Sequence, residues 1–188
     1  MKTKLKYILL ILCFFECKKA EKKDPYSEVR KTLEKVLEND QKYRQQTIID
    51  WKKQGSSDKK NLEIVTKIID SLGWLGEDKI GHDANLALFL AIQHANKLET
   101  MEKYLPILKE AANKGNAKKE QAAYLIDRVE LLNKRKQIYG TQYSIRENGT
   151  AFIENLIDSA NVNSRRKSMD LYPVEDYLRK IDSSNSAR

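Results

Sequence analysis

Cysteine is almost missing from this chain. Its two cysteines, Cys13 and Cys17, lie within the first 17 residues, so the rest has no disulfide framework and no cysteine-based metal site. Glycine and proline are also few, at 7 and 3 of 188 residues, which argues against a turn-dense all-β fold. The one long apolar run, Tyr7 to Phe15, has nine residues, whereas a membrane-spanning helix needs about 20. Three kinds of motif are missing as well. There is no glycine-rich phosphate loop, no serine elbow and no metal-ligand spacing, so no cofactor and no metal are expected.

The positive charge sits mostly at the start. The chain has a net charge of +8. Lys2, Lys4 and Lys6 against Glu16 give residues 1–16 a charge of +2, and four lysines against Glu21 give residues 17–23 a charge of +3. Only +3 remains for the other 165 positions, 24–188. A domain so mildly basic is a poor fit to nucleic-acid binding.

Three lysines followed by the short apolar run form an export signal over residues 1–16. Cys17 ends that run and opens a lysine-rich tether, residues 17–25, at the position of a lipidated cysteine. Phe14, Phe15 and Glu16 precede it, where such cleavage sites ordinarily have small residues. The expected location is the cell envelope, and the expected partners are a membrane, held through the lipid, and a small-molecule or protein ligand.

Residues 26–182 are expected to form a single mainly α domain of five to seven helices with a small C-terminal β-hairpin, followed by a frayed tail at 183–188. Apolar residues three and four apart predict helices over 26–55, 59–72, 83–98, 100–113 and 117–134. A break at Gly55–Asp58, a stop at Gly73 and a loop to Gly81 separate the first three. Thr47 and Trp51 fall on the inward stripe of the first helix. Residues 137–145 and 150–153, joined by Glu147-Asn148-Gly149, predict a hairpin. Short helices are expected over 164–170 and 173–181.

Several polar residues occupy apolar positions, and these are the candidate site. Asp40 continues the inward stripe of Val29, Leu33 and Val36, with Arg44 one turn further on. They form either a buried salt bridge or a pocket wall. Gln93 and His94 interrupt the most apolar helix; His94 is either a satisfied core histidine or a general base. His82 belongs to the loop. Asp127 and Arg128 sit inside Ala-Ala-Tyr-Leu-Ile-Asp-Arg-Val, and Asp127 is a candidate to orient His94. Read as a strand, Gln137, Tyr139 and Thr141 share one face, and Gly140 and Gln142 the other. Gly140 there suggests a bulge or a close backbone approach. Trp74, in the Gly-Trp-Leu-Gly loop, is a further pocket candidate. Arg165 and Arg166 are read as binders of an anion or of a carboxylate such as Asp40, or as solvated surface.

These pieces together resemble a bacterial family, the domain of unknown function 6624. They are Asp40 with Arg44, Gly-Trp-Leu through Gly81, Gln93-His94-Ala95, residues 123–129, 137–142 and 163–166. The resemblance spans about Val29 to Tyr177. The family loop usually reads Gly-Trp-Pro, whereas Leu75 stands here. The resemblance implies no activity. Two functional classes fit the residues. One is a binding or interaction module on the envelope. The other is an envelope hydrolase with His94 as base and Asp127 or Asp40 as its orienter.

Overall fold

A computed structural model describes residues 24–186. The expected export signal, Cys17 with most of the expected tether, and the last two residues lie outside the described residues. Within them the chain is mainly α. The helices are α1 (Ser27–Arg44), α2 (Trp51–Leu72), α3 (Glu77–Ile80), α4 (His82–Gln93), α5 (Leu98–Asn113), α6 (Lys119–Leu132), α7 (Val162–Ser168) and α8 (Val174–Ser186). A single two-stranded antiparallel sheet pairs β1 (Ser144–Ile145) with β2 (Ala151–Phe152), Ser144 opposite Phe152. Asn148 and Gly149 make its turn, with Gly149 at φ 83°, where a side chain would be strained.

α4 is the centre of the fold. Ala84, Ala87, Leu88, Ala91 and Ile92 are all buried, and the helix packs against α1, α2, α5 and α6. Its alanines allow close approach of α1, the neighbour with which it shares most contact. Leu88 has no exposed surface, and burial of such a side chain is worth about 2 kcal/mol. Leu33 and Val36 of α1, Val65 and Ile69 of α2, and Leu125 and Val129 of α6 complete the core.

Several local expectations are corrected. The first helix stops at Arg44, and the break falls at residues 45–50 instead of at Gly55. There the Asp50 carboxylate caps α2 by accepting the Lys53 N–H at 3.0 Å. Gly55 to Asp58 are helical, because Ser57 donates to the Asn39 carbonyl and ties this turn to α1. A glycine in a helix costs only about 1 kcal/mol, which such contacts outweigh. Trp51, expected inward, is 68% exposed.

α4 ends at Gln93, not Leu98, since His94 serves as its C-cap and an extended Lys97 opens α5. Residues 137–142 form no strand. At the end of the chain, residues 183–186 continue α8 where a frayed tail was expected. The loop expected up to Gly81 holds the short helix α3, and His82, expected in that loop, opens α4; elsewhere the elements fall close to their expected places. Gly73, at φ 71°, closes α2 and gives its N–H to the Ile69 carbonyl.

Candidate functional site

The polar residues separate into two clusters. The first surrounds Asp127 on α6. Its Oδ1 accepts the backbone N–H groups of Ile138 and Tyr139, at 2.7 and 3.0 Å. Its Oδ2 accepts the N–H and the hydroxyl of Thr141, both at 2.9 Å. Four donors fill one fully buried carboxylate, and His94 is not among them. Asp127 is therefore no orienter of the imidazole; it gathers the loop 137–142 against α6.

The carbonyls of the same loop are held from α7. Arg166 donates to Tyr139 and Gly140 at 2.8 and 2.9 Å, and to Tyr172 at 2.6 Å. Arg165 donates to Ile138 at 2.7 Å. Among the described residues neither arginine bonds to Asp40, and neither is simple solvated surface: Arg166 is 1% exposed, and burial pulls its guanidinium below its ordinary pKa. Tyr177 of α8 gives its hydroxyl to the Thr141 carbonyl at 2.6 Å. Burial pushes that hydroxyl far above the ordinary range, with Tyr124 adding to the effect, so it stays a donor.

Gln137 is also buried in this assembly. It bridges the carbonyls of Gln142 and Glu154 and accepts the Gln142 N–H. Gly140 takes φ 64°, and a Cβ there would stand 2.9 Å from Ile153 Cδ1. A strand ladder is replaced by a loop whose N–H groups meet a carboxylate and whose carbonyls meet guanidinium groups. This explains why the segment is not β. Trp74 packs in the core with its Nε1 unpartnered, and His82 pairs with Glu77 at the surface at 3.1 Å. Neither lines the cleft described next.

The second cluster surrounds Asp40, buried at 1% exposure. Its Oδ1 lies 2.8 Å from His94 Nδ1. A carboxylate only accepts, so this contact assigns the proton to Nδ1 and leaves Nε2 of a neutral ring as an acceptor. Asp40 Oδ2 accepts from Gln41 at 2.8 Å and pairs with Arg44 Nε at 3.5 Å. Arg44 Nη2 reaches Asp58 at 2.7 Å. Gln54 donates to Asp58 at 2.6 Å and to the Asp40 carbonyl at 3.2 Å.

Gln54 and Asp58 were missed, because Gln54 fell at the end of the expected first helix and Asp58 in the expected break. The signal was present. Counting back along the α2 stripe from Ile69 and Val65 through Asn61, steps of three and four lead to Asp58 and Gln54.

Asp40, Asp58 and His94 present ligand atoms within 4.8 Å of one another. Arg44 already bridges the two carboxylates, so a cation there would have to displace a guanidinium. The donor set fits an ion-paired polar site better than a metal centre.

His94 lies between two clefts. One, of about 340 Å³, is lined by Leu90, Gln93, Tyr124, Thr141, Gln142 and Tyr177 among others. The second, of about 470 Å³, includes Asp58, Leu62, Asn96 and Thr100. The latch around Asp127 thus builds one wall of the cleft that His94 faces.

Residues 28–187 match a family of unknown function (DUF6624). The chain belongs to the DUF6624 family. No curated protein and no solved structure matches it. In this DUF6624 chain the matched region takes in both polar clusters, from Asp40 to Tyr177.

Proposed function

We propose that this DUF6624 chain is an exported, lipid-anchored protein of a bacterial envelope whose helical domain binds a small-molecule or protein ligand in the cleft at His94. The anchor rests on the lysine-rich start, the nine-residue apolar run and Cys17. No helix among the described residues is long and apolar enough to cross a membrane, so the tether would supply the attachment. The binding role rests on one observation above the rest: a part-exposed imidazole, fixed by a buried carboxylate, lines two clefts. Fixed polar groups in a concave wall orient a ligand at little cost in ordering.

The same pair favours a second reading, an envelope hydrolase. Asp40 holds the proton on His94 Nδ1, so Nε2 is set to take a proton from water or a hydroxyl. In this reading Asp40, not Asp127, orients the base.

His94→Ala separates these roles. Under the binding reading it keeps its fold by circular dichroism and loses the thermal stabilisation given by any small molecule that stabilises the parent chain. Retained stabilisation would sink the binding role. Hydrolysis of p-nitrophenyl esters above background, abolished in His94→Ala, supports the hydrolase. Cys17→Ser is expected to leave the membrane fraction; unchanged fractionation counts against lipidation.

A further inference from the structure

The cleft of about 340 Å³ at His94 and a neighbouring cleft of about 420 Å³ are walled by the same three tyrosines, Tyr124, Tyr143 and Tyr177. Both volumes are those of ordinary small-molecule sites, about 300–1,000 Å³. Tyr177 stands edge-on to the other two. Its ring centre lies 6.5 Å from that of Tyr124 and 6.3 Å from that of Tyr143, at interplanar angles of 80° and 76°. Such contacts hold the rings in place before any ligand arrives. Tyr143 is still 46% exposed, so its ring is open to a ligand.

Three features of these walls narrow the ligand. Charge is the first. Among the described residues the cleft beside His94 is lined by no carboxylate, lysine or arginine, so a charged ligand would find no counterion there except the imidazole. Glu120 and Lys180, of opposite sign, line only the neighbouring cleft, where Arg166 is spent on three carbonyls. Arg128 lines neither cleft. The second feature is the backbone of the loop that forms one wall. The N–H groups of Ile138, Tyr139, Thr141 and Gln142 are all engaged, and so are the five carbonyls of residues 138–142. A peptide held by main-chain pairing would find no partner in this loop. The third is Gln93, 6% exposed, whose Oε1 is enclosed without a donor. Gln93 lines the cleft beside His94, and a ligand hydroxyl would supply that donor as the amide turns toward it.

We propose that the groove walled by the three tyrosines binds a neutral oligosaccharide. This inference rests on the reading of the His94 cleft as a binding site and names the class of its ligand. The C–H face of a pyranose carries slight positive charge and stacks on the electron-rich face of an aromatic ring. Neighbouring ring hydroxyls both donate and accept, which suits the amide of Gln93 and the acceptor Nε2 of His94. Two clefts sharing one aromatic wall accommodate successive sugar units.

The test titrates the full chain in detergent, by calorimetry, with cellotriose, maltotriose, mannotriose and chitotriose. Trigalacturonate and trialanine serve as the acidic and the peptide control. Saturable binding of at least one neutral trisaccharide, and of neither control, is expected. Tyr143→Ala is expected to weaken this binding by about tenfold and to melt with the parent, since its ring is half exposed. Tyr143→Phe keeps the stacking face and is expected to stay within about twofold of the parent. Gln93→Leu is expected to weaken the binding by about fivefold.

The proposal is overturned if no neutral trisaccharide binds, if either control binds in their place, or if Tyr143→Ala keeps the affinity. Trialanine binding that is lost in His94→Ala would leave the cleft a binding site and remove the sugar. Trisaccharide binding that persists in His94→Ala but not in Tyr143→Ala would keep the sugar groove and remove only the imidazole from it.

Discussion

The two polar clusters draw on the same side chains, an aspartate with arginines beside it, and differ in how fully their atoms are used. Asp127 accepts four bonds, and Arg166 gives its own to three carbonyls. Around Asp40 the contacts are partial: Arg44 Nε and Gln54 Oε1 are enclosed without a hydrogen bond, as is Oε1 of Gln93, next to His94 in the chain. Burial of charge alone therefore does not mark a site. A saturated network holds a backbone in place, whereas one with atoms left over has room for something else to complete it.

Substitution can break this contrast, and the largest effect is expected in the latch. Asp127→Ala leaves three buried backbone N–H groups without an acceptor and should cost about 5 kcal/mol, read by urea unfolding. Arg166→Met strands the carbonyls of Tyr139 and Gly140 and should cost about 3 kcal/mol by the same measurement. Gly140→Ala forces a side chain to φ 64° and a Cβ against Ile153; calorimetry should find a loss of about 2 kcal/mol. His94→Ala should cost least, about 1 kcal/mol or below, because Asp40 keeps Gln41 and Arg44. If His94→Ala proved as damaging as Asp127→Ala, both clusters would be structural and the contrast would fail.

Much of the fold was legible in the chain. Periodicity located α4, α5 and α6, and Gly73 and Asn148-Gly149 marked a helix end and a turn. The misreadings share a cause. At Gly55–Asp58 and at 137–142, local propensity was overridden by partners distant in sequence. Ser57 reaches Asn39, and the loop 138–141 reaches Asp127. Asp40 and His94 were singled out because each interrupts an apolar stretch, and Arg44 because it lies one turn from Asp40. Choosing between Asp127 and Asp40 as the partner of His94 was a question of three-dimensional placement, since 54 residues separate His94 from Asp40. Arg165 and Arg166 looked like anion binders for the right chemical reason. The anions they neutralise are the partial charges of backbone carbonyls, which no side-chain pattern displays.

The latch has a consequence for motion. Loops ordinarily exchange their amide hydrogens with solvent quickly, because nothing seals them. The N–H groups of Ile138, Tyr139 and Thr141 point into a buried carboxylate, and Tyr177 covers the neighbouring carbonyl. In deuterated water these three amides belong with the slowest protons of α4 and α6. The wall of the His94 cleft would then open only when the helices themselves come apart.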